Sequence, residues 1–203
     1  MGCIMGMEFL TLASFVIVST FTPGPANIAG ASMGIIYGYK KALRYITGLI
    51  IGFFFWMIIC AYMSSVLLII MPSFEKIFRI AGACYILWLA FTLLKSDYAF
   101  KSSKESYEGA FKKAILLQLV NPKLIIFGLT IYSTFLVSIK HNPVMLAVSA
   151  IILSCVGFCA VSTWTIFGAV IKKHLNNKIL KRIINLSLSA LLVYTAIEIS
   201  GLI

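Results

Sequence analysis

Two prolines interrupt apolar segments of this chain in matching places, and carboxamide side chains flank both interruptions. The first interruption is Thr22-Pro23-Gly24-Pro25, with Asn27 close behind it, and the second is Asn121-Pro122-Lys123, with Gln118 just before it. Proline removes a backbone amide donor and clashes with the preceding helical turn, so we expect a broken helix at each place. In lipid, the freed backbone groups persist only beside protein or a watery cavity. The pattern therefore predicts a polar site built from two broken helices.

Each new half-helix would present free N–H groups and the positive end of its dipole to the break. Pro25 and Pro122 suit the first turn of a helix, where the missing amide costs nothing. A carboxylate is a natural ligand for such a helix end, and Gly24 lets a ligand approach the backbone closely. The flanking carboxamides could hold a ligand's amino group or repair the broken backbone. The candidate substrate-binding residues are Pro23, Gly24, Pro25, Asn27, Gln118, Asn121, Pro122 and Lys123.

Lys123 carries a charge into an apolar segment. It lies ten positions beyond Lys113, which is about 15 Å at the rise of an α-helix. An ammonium at that depth is costly, and intramembrane charges usually face a cavity and mark function. Lys123 could pair with a substrate carboxylate or change its protonation state during a transport cycle. The alternatives are an ammonium that reaches an aqueous vestibule, or one that bonds to carbonyls freed by the break; we interpret Lys123 as functional.

Composition excludes a soluble globular protein. Of the 203 residues, 61% are hydrophobic and 11% are charged, whereas soluble domains are about half apolar and about a quarter charged. The net charge of +11 comes from basic residues in short loops between apolar runs. This placement orients a membrane protein and gives no basic face for a nucleic acid. We therefore expect a lipid bilayer around the protein and no nucleic-acid partner.

The apolar segments lack the combinations of residues that a metal site or covalent catalysis needs. The five cysteines form no Cys-x-x-Cys pair, and the two histidines, His141 and His174, lie in loops. Neither a metal site nor a disulfide framework is predicted. Without an intramembrane histidine, aspartate pair or His-Glu motif there is no nucleophile and base, so we expect no enzyme and no cofactor.

Six apolar runs are long enough to be membrane helices, since a span needs about 20 residues. They are residues 9–36, 45–71, 77–94, 114–139, 144–171 and 183–202. Most of the 17 basic residues lie in the loops after the first, third and fifth runs. Positively charged loops stay in the cytoplasm. The sequence therefore predicts a multi-pass protein with both termini on the extracytoplasmic side.

The order of the runs repeats, as a broken helix, a long helix and a short helix in each half. The halves are residues 8–95 and 112–202 of a single domain, 1–203. Three spans per half is an odd number, so the second half enters the membrane from the opposite side. Such inverted repeats recur in secondary transporters, with the substrate site at paired breaks. The fold class is thus an all-α membrane protein of six helices in two inverted repeats, with spans one and four broken at proline. A helical bundle with coincidental proline kinks is the alternative.

Small residues and tryptophans lie along the same runs. Glycines in the first two spans, Gly30, Gly34, Gly48 and Gly52, are predicted to let helices pack closely, and hinges for a rocking motion are the alternative. Glycine-rich faces also let two copies of a small bundle pair, so a homodimer is an open possibility. The mid-span tryptophans are expected to pack inside the bundle, with a role in binding as the alternative: Trp56, Trp88 and Trp164.

These motifs together resemble the LysE/RhtB family of amino-acid exporters over nearly the whole chain. The matching residues run in order through Thr22-Pro23-Gly24-Pro25-x-Asn27, Gly30, Ser32, Gly34, Gly38-Tyr39-Lys40-Lys41-Ala42, Gly48-x-x-x-Gly52, Gly82-Ala83-x-Tyr85-x-x-Trp88-Leu89 and Phe111 to Gln118-x-x-Asn121-Pro122-Lys123. The resemblance implies export of small amino acids or close derivatives across a bacterial cytoplasmic membrane, driven by exchange for protons.

The chain departs from some members of such families in its acidic residues. No acid lies within the first five spans, and Glu198 near the outer end of the sixth is interpreted as an interfacial group. Proton coupling is therefore less well supported by the residues than by the resemblance. The lack of an acidic cluster favours neutral over cationic substrates. A passive channel or pore for small polar solutes would also use broken helices and is the alternative function.

Overall fold

The computed structural model describes residues 2–95, 109–172 and 178–200, and every element in these ranges is helical. The helices are α1 (Gly2–Phe21), α2 (Pro25–Tyr37), α3 (Tyr39–Lys95), α4 (Ala110–Leu119), α5 (Pro122–Thr130), α6 (Pro143–Lys172) and α7 (Lys178–Ser200). A π-helical turn at Ile131–Phe135 and a 3-10 turn at Val137–Ile139 follow α5. Most of the predicted basic loop after the third span, residues 96–108, lies outside the described residues, as do residues 173–177 of the loop after the fifth.

Both predicted breaks are confirmed. The α1 and α2 axes differ by 49°, and those of α4 and α5, with its π-helical turn, differ by 55°. Pro25 and Pro122 each occupy the first turn of the new helix, because a proline ring fits there and clashes anywhere further along.

The predicted division between the second and third spans is wrong. Residues 45–71 and 77–94 belong to one helix, α3, of 57 residues. Straight, it would extend over about 85 Å, far beyond the hydrocarbon thickness of about 30 Å. The intervening sequence, residues 72–76, contains a proline but no glycine, and apolar helices tolerate a single proline when neighbours satisfy the freed backbone.

Only part of the predicted set of spans meets the length and composition needed to cross a bilayer. Within the described residues, Tyr39–Ser64 and Pro143–Ile171 do so, and each broken pair adds one span if its two helices are counted together. The apolar part of α7, Arg182–Ile197, is shorter. The helical membrane fold is thus confirmed in its class, and the six-span inverted repeat stays a prediction.

Glycines set the distances between the helices that carry the breaks. α2 and α6 cross so closely that a Cβ added at Gly34 would overlap the Thr165 carbonyl, and one at Gly168 would overlap the Ala31 carbonyl. On α3, a Cβ at Gly48 would lie 2.6 Å from a carbonyl oxygen of α4. Gly34 and Gly48 thus allow close helix packing, as predicted. This packing holds α2 against α6 and α4 against α3.

Candidate functional site

A cavity of about 60 Å³ lies between the two breaks, which is room for about two water molecules at their volume in the liquid. Six of the eight predicted site residues line it, which are Gly24, Pro25, Asn27, Gln118, Asn121 and Lys123. Ser19 and Thr20 of α1 add hydroxyl groups. The apolar part of the wall is Ile50, Phe53, Leu124, Phe127, Gly157 and Val161.

The other two predicted residues flank the cavity without lining it. Pro23 lines a neighbouring recess on the far side of the Lys123 side chain. Pro122 is buried in the first turn of α5. Both prolines act on the site through the backbone, because they end the preceding helix and start the next one.

Asn27 repairs the backbone at the end of α1. Its Nδ2 donates to the carbonyl oxygens of Thr20 at 2.7 Å and of Thr22 at 3.0 Å. The carbonyls in the last turn of a helix have no intrahelical donor, and Asn27 is only 6% exposed. Of the two roles left open by the sequence for this carboxamide, the structure shows backbone repair.

Lys123 connects the second break to the first. Its Nζ lies 3.3 Å from the carbonyl oxygen of Thr22 and 3.5 Å from that of Pro23. A Cβ added at Gly24 would lie 3.2 Å from both Cδ and Nζ of the lysine, so glycine at this position leaves room for the ammonium beside the backbone. The charge sits where the carbonyls of α1 end and the cavity begins.

Backbone amides at the start of α2 add to the positive charge that Lys123 brings to this side of the cavity. α2 begins at Gly24 without a side-chain cap from the described residues, and Pro25 has no amide hydrogen. The amides of Ala26 and Asn27 then fall in the first turn, where a helix offers them no acceptor, and both residues line the cavity. Together with Lys123, the helix end makes this side of the cavity attractive to an anion.

The second break also offers an acceptor beside the cavity. Gln118 Nε2 donates to the Leu49 carbonyl at 3.2 Å, and Asn121 Nδ2 donates to Gln118 Oε1 at 3.0 Å. Asn121 is 5% exposed, and its Oδ1 has no hydrogen-bond partner within the described part of the chain. An unpaired buried carbonyl oxygen is costly, so this atom is suited to accept a hydrogen bond from a bound ligand.

The cavity therefore combines a cationic edge with a neutral acceptor and apolar walls. Among the described residues that line it, none carries a carboxylate. No cluster of three metal-ligating side chains occurs in the described ranges either. The arrangement suits a small molecule that has one carboxylate, one donor group such as an ammonium, and no second positive charge.

Trp164 of α6, for which the sequence leaves open packing in the bundle or a role in binding, contacts the first break. Its Nε1 donates to the Phe21 carbonyl at 3.0 Å, so a third side chain satisfies the end of α1. A buried indole N–H needs an acceptor, and a broken helix supplies free carbonyls nearby; that signal is present in the sequence. Trp88, by contrast, is 54% exposed, which corrects its predicted place inside the bundle, because its face of α3 is turned outward.

Replacing Trp164 by phenylalanine is expected to lower stability by about 1–2 kcal/mol, since the Phe21 carbonyl loses its donor. The matched control is Trp56→Phe, because the Trp56 indole N–H has no partner among the described residues. We expect a lower melting temperature in detergent for the Trp164 variant than for the control. Equal melting temperatures would show that the bond to Phe21 contributes nothing.

Comparison with known proteins gives a match over most of the chain. The model of a family described as LysE type translocator matches residues 17–200. A cysteine/O-acetylserine efflux protein of Klebsiella pneumoniae is 34% identical over 194 residues, which cover 94% of both chains. Cysteine/O-acetylserine efflux proteins of Salmonella typhimurium and Escherichia coli K12 are 30% and 29% identical, over 92% of this chain and 94% of each relative. No solved structure matches significantly.

Proposed function

The chain belongs to the LysE type translocator family, and we propose that it exports small neutral amino acids or close derivatives across the bacterial cytoplasmic membrane in exchange for protons. The observation that carries this proposal is that the residues lining the cavity combine the Lys123 ammonium and the first-turn amides of α2 with the Asn121 oxygen, which has no partner among the described residues. Lys123 and the amides of Ala26 and Asn27 are placed to hold a carboxylate, and Asn121 Oδ1 is placed to accept from an ammonium. A carboxylate and an ammonium are the two charged groups that every free α-amino acid carries.

The relatives narrow the side chain of the proposed substrate. The relatives are named as efflux proteins for cysteine and O-acetylserine. Both are small amino acids whose side chains are mostly uncharged at neutral pH. The small volume of the cavity and its apolar walls favour a substrate with a small, uncharged side chain. A lysine or arginine side chain would bring a second cation beside Lys123, with no carboxylate in the described lining to balance it.

Proton exchange requires a group that changes its charge during the cycle. Lys123 is the titratable side chain among the described residues of the cavity wall, so we assign it this role together with carboxylate binding. A passive pore would need no such group. An uncoupler distinguishes proton exchange from a passive pore, because it removes the driving force for exchange and leaves passive flow unchanged.

The experiment is efflux from cells preloaded with a panel of amino acids, with and without expression of the protein. The panel contains cysteine, O-acetylserine, serine, alanine, leucine, lysine and arginine. We expect faster loss of the small neutral members, and we expect an uncoupler to abolish it. Faster loss that resists the uncoupler would favour the pore, and no change for any member would remove amino acids as the substrates.

The two buried asparagines are expected to differ in what they do. Asn27→Ala removes two donors to backbone carbonyls and should lower stability by about 2 kcal/mol. Asn121→Ala removes the proposed ligand acceptor and should raise the KM for export about tenfold with a smaller loss of stability. Melting temperature in detergent and KM in efflux assays measure the two effects. The proposed role of Asn121 is wrong if its variant keeps the wild-type KM.

A further inference from the structure

A second recess lies against the cavity, on the far side of Lys123. It has a volume of about 470 Å³ and lies between α1, α5 and α7. Phe15 and Thr22 of α1, Ile126 and Thr130 of α5 and Thr195 of α7 are among its walls. We call it the outer groove.

The cavity and the outer groove are separated by side chains. Ser19, Lys123 and Phe127 line both. Thr22 and Pro23 line the groove, whereas Gly24 and Pro25 line the cavity, and the Lys123 ammonium reaches the backbone at this boundary. The lysine therefore crosses from α5 to the first break between the two spaces.

The polar groups of the groove suit the same class of ligand as the cavity. The hydroxyls of Thr22, Thr130 and Thr195 each donate to a carbonyl four residues earlier in their own helix. A hydroxyl that has donated its hydrogen still has acceptor lone pairs, which an ammonium can use. Lys123 offers its charge to a carboxylate from this side as it does from the cavity.

The groove extends from the breaks in one direction. In the topology predicted from the basic residues, α1 runs toward the cytoplasm and α5 runs away from it. Phe15, before the first break, and Thr130, after the second, then both lie on the extracytoplasmic side. Phe15 stacks on Phe127 at 5.9 Å and on Phe135 at 5.3 Å between ring centroids, which places this part of α1 beside the outer part of the second broken helix.

We propose that the outer groove is the exit vestibule, which binds the zwitterionic amino acid after it leaves the cavity, and that the Lys123 side chain closes the passage between them. This inference rests on the proposed export of amino acids. The substrate carboxylate would compete with the carbonyls of Thr22 and Pro23 for the ammonium. Displacement of the lysine from those carbonyls would open the passage.

Thiol labelling in intact cells tests the passage without any substrate. The five native cysteines are replaced by alanine, and one new cysteine is added, either Thr130→Cys in the groove or Gly157→Cys in the cavity. A Cβ at Gly157 meets the Phe53 ring at 3.4 Å, an ordinary contact. The reagent is a membrane-impermeant methanethiosulfonate with a trimethylammonium group. Each variant is labelled with Lys123 present and with Lys123→Ala.

We expect Thr130→Cys to react from outside at a similar rate in both backgrounds. Gly157→Cys should react slowly with Lys123 present and about tenfold faster with Lys123→Ala, as the bonds to the carbonyls are lost. Equal rates for Gly157→Cys in the two backgrounds would overturn the closing role of Lys123. Reaction of Thr130→Cys only in inside-out vesicles, or in neither preparation, would overturn the exit vestibule.

Lys123→Met serves as the second variant if the alanine variant does not accumulate in the membrane. Efflux of the amino-acid panel is measured separately from the labelling rates. A labelling change without any exported amino acid would leave the passage standing and remove the proposed substrate. Export without a labelling change would support the proposed substrate and overturn the closing role of Lys123.

Discussion

Lys123→Met is expected to slow export at least about tenfold while the protein still inserts and folds. Methionine keeps most of the length and volume of the lysine stem and removes the ammonium that lies beside the Thr22 and Pro23 carbonyls. A hydrogen bond that involves a charged group contributes about 1.5–3 kcal/mol, so the loss of the substrate contact should slow export by about 10- to 100-fold. The measurement is the initial efflux rate of the identified substrate, divided by the amount of protein in the membrane.

The control is Lys113→Met, the same substitution at an exposed position of α4. That lysine lies outside the cavity lining, so its variant should export at the wild-type rate. Wild-type efflux from Lys123→Met would show that the ammonium only repairs the backbone. Loss of both variants from the membrane would point to insertion, because basic residues near the ends of spans set orientation.

The breaks and their helix starts could be predicted because they depend on local chemistry. Proline removes a backbone donor and favours the first turn of a helix, and Pro25 and Pro122 each occupy that position. The meeting of the two breaks at one cavity could be predicted from their matching places in the chain. These are statements about kinds of residue and spacing, which a single sequence contains.

Partners within the site could not be predicted, because they depend on distances between separate helices. Asn27 and Asn121 have the same side chain and a similar place next to a break. One donates twice to the end of α1, and the Oδ1 of the other has no partner within the described part of the chain. The difference arises from the angle at which each half-helix leaves its break, and no pattern in the sequence gives that angle.

The continuous helix α3 is a place where the sequence predicts a break and the structure has none. Its middle contains Pro72, the same residue type that breaks α1 from α2, yet the helix continues to Lys95. At the first break, Pro23-Gly24-Pro25 combines two prolines with a glycine, which together remove two amide donors and favour extended backbone. A single proline removes one donor and leaves the outcome to the surrounding packing.

Packing at the crossing of α2 and α6 should control whether the site forms at all. Gly168→Ala places a methyl group where the Ala31 carbonyl lies, and backbone on both sides cannot rotate out of the way. The helices must separate, at a cost of about 2 kcal/mol or more. This exceeds the gain of about 1 kcal/mol from replacing a glycine within a helix. We expect a melting temperature in detergent lower by several degrees, and reduced export, because α2 carries Ala26 and Asn27.

Gly157→Ala is the matched control, since it makes the same substitution on the same helix. Its new methyl would meet the Phe53 ring at 3.4 Å, within ordinary contact distance, so only the gain in helix propensity should remain. The two variants should therefore shift the melting temperature in opposite directions. If Gly168→Ala melts as high as Gly157→Ala, the crossing of α2 and α6 accommodates a methyl group, and the close approach of these helices does not hold the first broken helix in place.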